Sequence, residues 1–110
     1  MKTSNHVLAT TVISLAALNK HVLVGFDGAL CGAGKKAYGA TIVAADADEP
    51  TAVAVLGVVL VTAGGAIEVG DEVESDASGR AIKKTTGVSN GWALDAASAA
   101  GEEIRIVRGI

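Results

Sequence analysis

Aromatic side chains are scarce in this sequence of 110 residues, which holds one phenylalanine, one tyrosine and one tryptophan. Proteins that bind single-stranded nucleic acid stack bases on several rings of one face, and Phe26, Tyr38 and Trp92 are too few for such a platform. Cysteine is scarce as well. Because Cys31 is the only cysteine, an internal disulfide is excluded and the sequence says nothing about the redox compartment.

A basic surface is also missing. The formal net charge is −3, and the lysines and arginines are scattered or at most doubled, as at Lys35 and Lys36. A phosphate backbone is bound by clustered positive charge, so we expect no nucleic-acid partner. The longest other apolar run, residues 52–61, contains Gly57 and is far shorter than a membrane-spanning segment. We therefore expect no membrane partner.

Candidate catalytic and ligand motifs fail on spacing. Five residues separate Gly28 from Gly34, where a phosphate-binding loop has four. The acidic stretch 46–49 lacks the remaining ligand positions of a calcium loop, and nothing in the sequence brings an apolar pocket to the carboxylates of residues 68–76. The sequence thus predicts no catalytic residue, no cofactor and no metal site, and Cys31 is interpreted as a buried packing residue.

The first twenty residues allow two interpretations. Lys2 precedes an apolar stretch, as in a secretory signal peptide. However, Thr10, Thr11 and Ser14 interrupt that stretch, and apolar or β-branched residues occupy alternate positions from 7 to 15. This period of two favours a strand or an extended arm.

Short alternating runs separated by turn residues recur along the rest of the chain. Gly70-Asp71 is predicted to be the hairpin turn between strands at 67–69 and 72–74, and a second turn at 76–79 precedes a strand at 80–84. Further strands are predicted at 22–26, 40–43, 52–61 and 103–107, with 52–61 forming one strand or a pair.

This spacing predicts an all-β fold, a small compact β-barrel or sandwich with hairpins and an extended N-terminal arm. Residues 1–20 are predicted to form the arm or a first strand, and residues 21–110 a single β-rich domain. The only plausible helices, at 14–20 and 95–100, are short and alanine-rich enough to be loops.

One internal echo is visible. A shift of 52 positions lays residues 39–47 on residues 91–99 and residues 55–57 on 107–109. A duplicated β unit would produce this match. Alanine- and glycine-rich composition also produces such matches, so both interpretations stand.

A succession of turns with their flanking strands gives information about function as well as fold. It comprises Val24-Gly25-Phe26-Asp27-Gly28-Ala29, then segments 33–34 with 38–40, 55–61, 66–81 and 93–104. In this order and spacing they resemble the small capsid cement, or decoration, proteins of tailed bacteriophages. The similarity runs from about residue 7 to the C-terminus and omits Cys31 and residues 48–50.

The resemblance implies a β-rich structural protein, trimeric and without catalysis. It would be made in the bacterial host cytoplasm, would bind the major capsid protein on the outer surface of the phage head, and would stabilise the shell. The alternative is a non-catalytic β-barrel module that binds a small molecule or a protein.

Two sets of contact residues are hypothesised. The N-terminal segment, with its β-branched alternation, is predicted to add a strand to an exposed capsid edge. Its candidate residues are Thr3, Ser4, Asn5, His6, Val7, Ala9 and Thr11. Trp92, which follows Gly91, is either a core anchor or the anchor of an oligomer interface.

Overall fold

The computed structural model describes the backbone of residues 5–109 and the side chains of residues 8–109. Within this range there are eight strands and no helix, which confirms the all-β prediction, and segments 14–20 and 95–100 are loops. The strands are β1 (Asn5–Ile13), β2 (Leu23–Val24), β3 (Gly39–Thr41), β4 (Pro50–Thr62), β5 (Glu72–Ser75), β6 (Ala81–Lys83), β7 (Gly91–Ala93) and β8 (Glu103–Arg108).

All eight strands belong to one sheet that curls into a nearly closed antiparallel barrel. Its order is β2-β3-β4-β8-β7-β5-β6, and β1 pairs with β4 beside this path. The two ends of the path meet, because the amide of Leu23 in β2 donates to the carbonyl oxygen of Gly79, just before β6, at 2.7 Å. Closure removes most unpaired edges from the sheet.

The strand β4 contributes side chains to both apolar clusters, the barrel core and a second, smaller one. Gly57, near its middle, has a φ of 100°, which L side chains rarely adopt. Before Gly57, Ala54 packs in the barrel core while Val55 packs in a second apolar cluster; beyond it, Val59 and Val61 pack in the barrel core. The irregularity at Gly57 therefore reverses the alternation within one continuous strand.

The internal echo corresponds to a structural repeat. In the first half, Leu23 lies opposite Ala40 in β2 and β3. Adding 49 and 52 to these numbers gives Glu72 and Trp92, which lie opposite each other in β5 and β7. The β3–β4 pairing is repeated in β7–β8 with shifts of 52 and 53. An isolated bridge near the start of the first half is repeated in the second half with shifts of 49 and 52. The duplicated-unit interpretation is the one that the strand pairing supports.

Each repeat buries an equivalent set of aliphatic side chains. In the first repeat the set is Leu18, Val24 and Val53, which form the second cluster with Val55. In the second repeat the equivalent residues are Ile67, Val73 and Ile106, which belong to the barrel core. Branched aliphatic side chains fit a pleated surface without needing hydrogen-bond partners. The core is thus built without buried rings.

One predicted hairpin is wrong. Residues 67–69 do not form a strand with 72–74, because Ile67 instead exchanges two backbone hydrogen bonds of 2.9 Å with Ala97. Residues 68–71 form a turn in which the Glu68 amide donates to Asp71 Oδ2 at 3.0 Å. The second predicted turn is present: Asp76 Oδ1 accepts hydrogen bonds from the Ser78 and Arg80 amides.

Candidate interaction surfaces

The strand β1 forms the rim of the molecule. It pairs with β4 from Asn5 opposite Val58 to Ile13 opposite Pro50, and among residues 5–109 no strand pairs with its other edge. Of the predicted capsid contacts, Ala9 and Thr11 are exposed on one face of β1. Asn5, His6 and Val7 lie in the strand, but their side chains are outside the described part; Thr3 and Ser4 precede the described residues.

The opposite face of β1 is fastened to the domain. The hydroxyl groups of Thr10 and Tyr38 share a hydrogen bond of 2.6 Å, and Val12 packs against the second apolar cluster. The alternation within the strand thus separates a face bound to the domain from a face open to a partner.

Exposed apolar side chains gather where β1 ends. Ile13 and Leu15 are each 56% exposed and Phe26 is 65% exposed. The Leu15 amide donates to the Gly28 carbonyl oxygen at 3.1 Å, which holds this end of β1 beside the turn that carries Phe26. Apolar groups collected on a surface mark sites of association.

Trp92 is not a core residue. It is 54% exposed, whereas its neighbours Gly91 and Ala93 are buried. Across the sheet it lies opposite Glu72 on one side and Val107 on the other, and Val107 is 39% exposed. We call the row Glu72, Trp92 and Val107 the Trp92 row. Gly91 permits the close approach of β7 to β8, because a Cβ there would lie 2.7 Å from the Val107 carbonyl oxygen.

A groove of about 310 Å³ opens beside the Trp92 row. Two buried residues shape its wall. Asn90 Oδ1 accepts from the Ala37 amide at 2.8 Å, and its Nδ2 donates to the Lys35 carbonyl oxygen at 3.0 Å. Arg108 donates from its two terminal nitrogens to the carbonyl oxygens of Tyr38 and Ala37, at 2.9 and 2.7 Å. The groove is lined by Lys36, Ser89, Asn90, Gly91, Trp92, Arg108 and Gly109.

The groove is positively charged. Burial lowers the pKa of Arg108, and burial together with the nearby Arg108 charge lowers the pKa of Lys36. The ion pairs among the described residues involve His21, Arg80, Lys83 and Arg105, but neither groove cation. Arg108 is 3% exposed and its Nε has no hydrogen-bond partner there. Within the described part of the chain, two cations thus share one groove without a carboxylate at ion-pair distance.

Comparison with known proteins identifies the group to which the chain belongs. The profile of the phage cement protein family matches residues 1–108. The chain belongs to the phage cement protein family. It is accordingly a structural protein of the phage head, located on its outer surface in the virion. The sequence-based resemblance to capsid cement proteins is confirmed. No curated protein sequence matches the chain.

A solved structure shares the fold of this cement protein. It is the crystal structure of the head fiber gp8.5 N base of bacteriophage phi29, with 20% identity and a TM-score of 0.74. The similarity covers 91% of this chain and 92% of that one. At this identity the comparison supports the fold.

Three chemically reactive side chains of this cement protein have hydrogen-bond partners within the fold. Burial raises the pKa of the Cys31 thiol, which donates to the Lys35 carbonyl oxygen at 3.3 Å. Glu74 accepts hydrogen bonds from the backbone and hydroxyl groups of Thr85, which lower the pKa of its carboxyl group. Asp76 fixes the turn already described, and its carboxylate lies 3.3 Å from Arg80 Nε.

Residues 5–109 hold no cluster of three or more His, Cys, Asp or Glu side chains suited to a metal ion. No helix in this range is long and apolar enough to cross a membrane.

Sequence analysis missed the charged groove. Lys36, Asn90 and Arg108 come from three distant segments, and none of them belongs to a recognisable motif. The available signal was Trp92 itself, a bulky residue between the small residues Gly91 and Ala93. That pattern marks the small residues as the inward-facing ones.

Proposed function

We propose that this cement-family chain binds the major capsid protein on the outside of the mature head as a homotrimer, and stabilises the shell by non-covalent contact without catalysing a reaction. The observation that carries the proposal is β1. It is an edge strand with an unpaired outer edge within residues 5–109 and an exposed face containing Ala9 and Thr11.

An unpaired strand edge can accept a strand from another protein. Main-chain hydrogen bonds then supply affinity, and side chains on alternate positions supply specificity. Native proteins usually cover or interrupt such an edge to prevent association, so an open edge is suited to an intended partner. The proposed capsid contacts are Thr3, Ser4, Asn5, His6, Val7, Ala9 and Thr11.

A trimer makes weak contacts sufficient. A single contact with a dissociation constant near 1 mM corresponds to about −4 kcal/mol. Once one subunit of a trimer is bound, the other contacts form at high effective concentration, and avidity exceeds single-site affinity by about 10²–10⁴-fold. We propose that Trp92 anchors the contact between subunits, since exposed tryptophan is a favoured residue at the centre of interfaces.

The double variant Ala9→Glu, Thr11→Glu tests the capsid contact. Both side chains are exposed in the free chain, so the barrel should remain folded while two charges block the docking face. We expect at least a tenfold loss of affinity for undecorated mature heads of the encoding phage, measured by co-sedimentation and counted as copies per capsid subunit. A matched control is Ala77→Glu, at an exposed position of the 76–79 turn.

Deleting residues 1–10 tests the same contact more severely. The path from β2 to β6 does not include β1, so we expect a folded barrel with reduced head occupancy. Circular dichroism verifies the fold. Wild-type occupancy by both the deletion and the double variant would reject β1 as the capsid contact, and failure of the unaltered chain to bind would reject the cement role itself.

A further inference from the structure

The groove beside Trp92 holds two cations that have no ion-pair partner among residues 5–109. Lys36 Nζ donates one hydrogen bond, to the Ser89 carbonyl oxygen at 3.0 Å, and an ammonium group has three protons to donate. Arg108 satisfies its terminal nitrogens with carbonyl oxygens alone. Carbonyl oxygens solvate a guanidinium group but do not cancel its charge.

Buried charge of this kind calls for an anion. Removing a charge from water is costly unless an opposite charge compensates it, and two like charges in one groove repel each other. Among residues 5–109, neither Lys36 nor Arg108 has a carboxylate within ion-pair distance. The groove also borders the ring system of Trp92, which is 54% exposed. A partner that covers this ring would reach the cations.

The internal repeat indicates what covers the Trp92 row. The row Glu72, Trp92 and Val107 in the second repeat is equivalent to Leu23, Ala40 and Ala54 in the first. The first-repeat row is almost completely buried, in one cluster with residues of the second repeat. The first repeat therefore uses this face to pack against a unit of the same kind, and the second repeat leaves the equivalent face open.

An open face that matches a covered one suits head-to-tail association. Contacts between unlike surfaces of identical chains close into rings when the rotation permits, which is how cyclic trimers form. The chain also supplies the required anion, since its net charge is −3 and Asp46, Asp48 and Glu68 are exposed and take part in no ion pair among the described residues.

We propose that the groove formed by Lys36, Arg108 and Trp92 binds a carboxylate side chain from a second copy of this chain, and so fixes the contact between subunits. The proposal rests on the trimeric part of the proposed function and adds the chemistry of recognition. Lys36 presents its free ammonium protons to the carboxylate, Arg108 supplies fixed positive charge behind it, and Trp92 provides the apolar area that excludes water.

The variant Lys36→Gln tests this site, with Lys35→Gln as the matched control. Both remove one positive charge, but Lys35 is exposed and lies outside the groove lining. Sedimentation equilibrium should show self-association at least about 10-fold weaker for Lys36→Gln, the loss expected for a charge-assisted hydrogen bond, and nearly unchanged for Lys35→Gln. Equal association of the two variants, at equal circular dichroism, would overturn the proposal.

A carbodiimide cross-link identifies the partner. This reagent joins a lysine amine to a carboxylate in direct contact, and mass spectrometry of mixed isotope-labelled and unlabelled chains separates links between copies from links within one. The reaction is run in solution and on decorated heads. We expect Lys36 joined to an Asp or Glu of another copy in at least one setting.

The other results of the cross-linking are equally decisive. A Lys36 link to the major capsid protein, or no Lys36 link in either setting, would overturn the assignment to a second copy. If the unaltered chain does not bind heads but still self-associates through Lys36, the cement role is rejected and this inference stands.

Discussion

Replacing Asn90 with alanine is expected to destabilise the barrel by about 2–4 kcal/mol. Asn90 is completely buried and holds the Ala37 amide and the Lys35 carbonyl oxygen. A buried polar group that loses its partner costs about 1–3 kcal/mol. The Ala37 amide, in a fully buried residue, belongs in the upper part of that range. The Lys35 carbonyl oxygen belongs in the lower part, because its bond to Asn90 is partly buried and it still accepts from the Cys31 thiol.

This loss is a large fraction of the total free energy of unfolding. Single domains have unfolding free energies of about 5–15 kcal/mol, and for a domain of this size a loss of 1 kcal/mol lowers the melting temperature by roughly 4 °C. We therefore expect a melting temperature about 8–16 °C below that of the wild type. Urea denaturation followed by circular dichroism measures the free energy directly, at one fixed protein concentration because self-association adds apparent stability.

Ser89→Ala is the matched control for this experiment. Ser89 precedes Asn90, and within residues 5–109 its hydroxyl has no assigned hydrogen bond, so the change should stay within about 0.5 kcal/mol. An Asn90→Ala loss below about 0.5 kcal/mol, or an equal loss in Ser89→Ala, would refute the view that Asn90 ties residues 35–37 to β7.

Two further predictions concern titratable groups. Hydrogen bonds from Thr85 hold the pKa of Glu74 below its usual range. The ionised carboxylate therefore stabilises the fold fully above the unfolded-state pKa of about 4.3, and this stabilisation is lost as pH falls through the lower folded-state value. Urea titrations from pH 6 to 2.5 should show that the free energy of unfolding depends less on pH in Glu74→Gln than in the wild type, and identical curves would contradict this. Burial raises the pKa of Cys31, so Ellman's reagent should modify the native thiol at least 100-fold more slowly than the urea-unfolded thiol; rapid native labelling would contradict its burial.

Local signals were sufficient for most of the strands and turns. Asp76 and Gly79 form the predicted turn because an aspartate can accept from amides two and four residues onward, and Gly79 takes a φ of 73°. The predicted strand at 67–69 failed for the opposite reason. The partner of Ile67 is Ala97, thirty residues away. No local pattern indicates such a distant partner, whereas the neighbouring Gly70-Asp71 pair is a strong local signal for a hairpin.

The repeat explains why the sequence marked Trp92 as an anchor residue but did not decide between the core and an interface. Its equivalent in the first repeat, Ala40, is buried, so the same strand position is core in one half and surface in the other. Periodicity within a strand reports which residues share a face, but only the packing of one repeat on the other determines which face is covered. The sequence therefore left Trp92 between core and interface.

The charged groove lies beyond sequence analysis for a physical reason that also bears on its purpose. Arg108 reaches carbonyl oxygens 70 and 71 residues earlier in the chain, and Lys36 bonds to Ser89 across 53 residues. Such contacts exist only after the barrel has closed and the loop-closure entropy has been overcome. A groove assembled in this way is presented by the folded chain alone, so recognition through Lys36 and Arg108 would restrict association to correctly folded subunits.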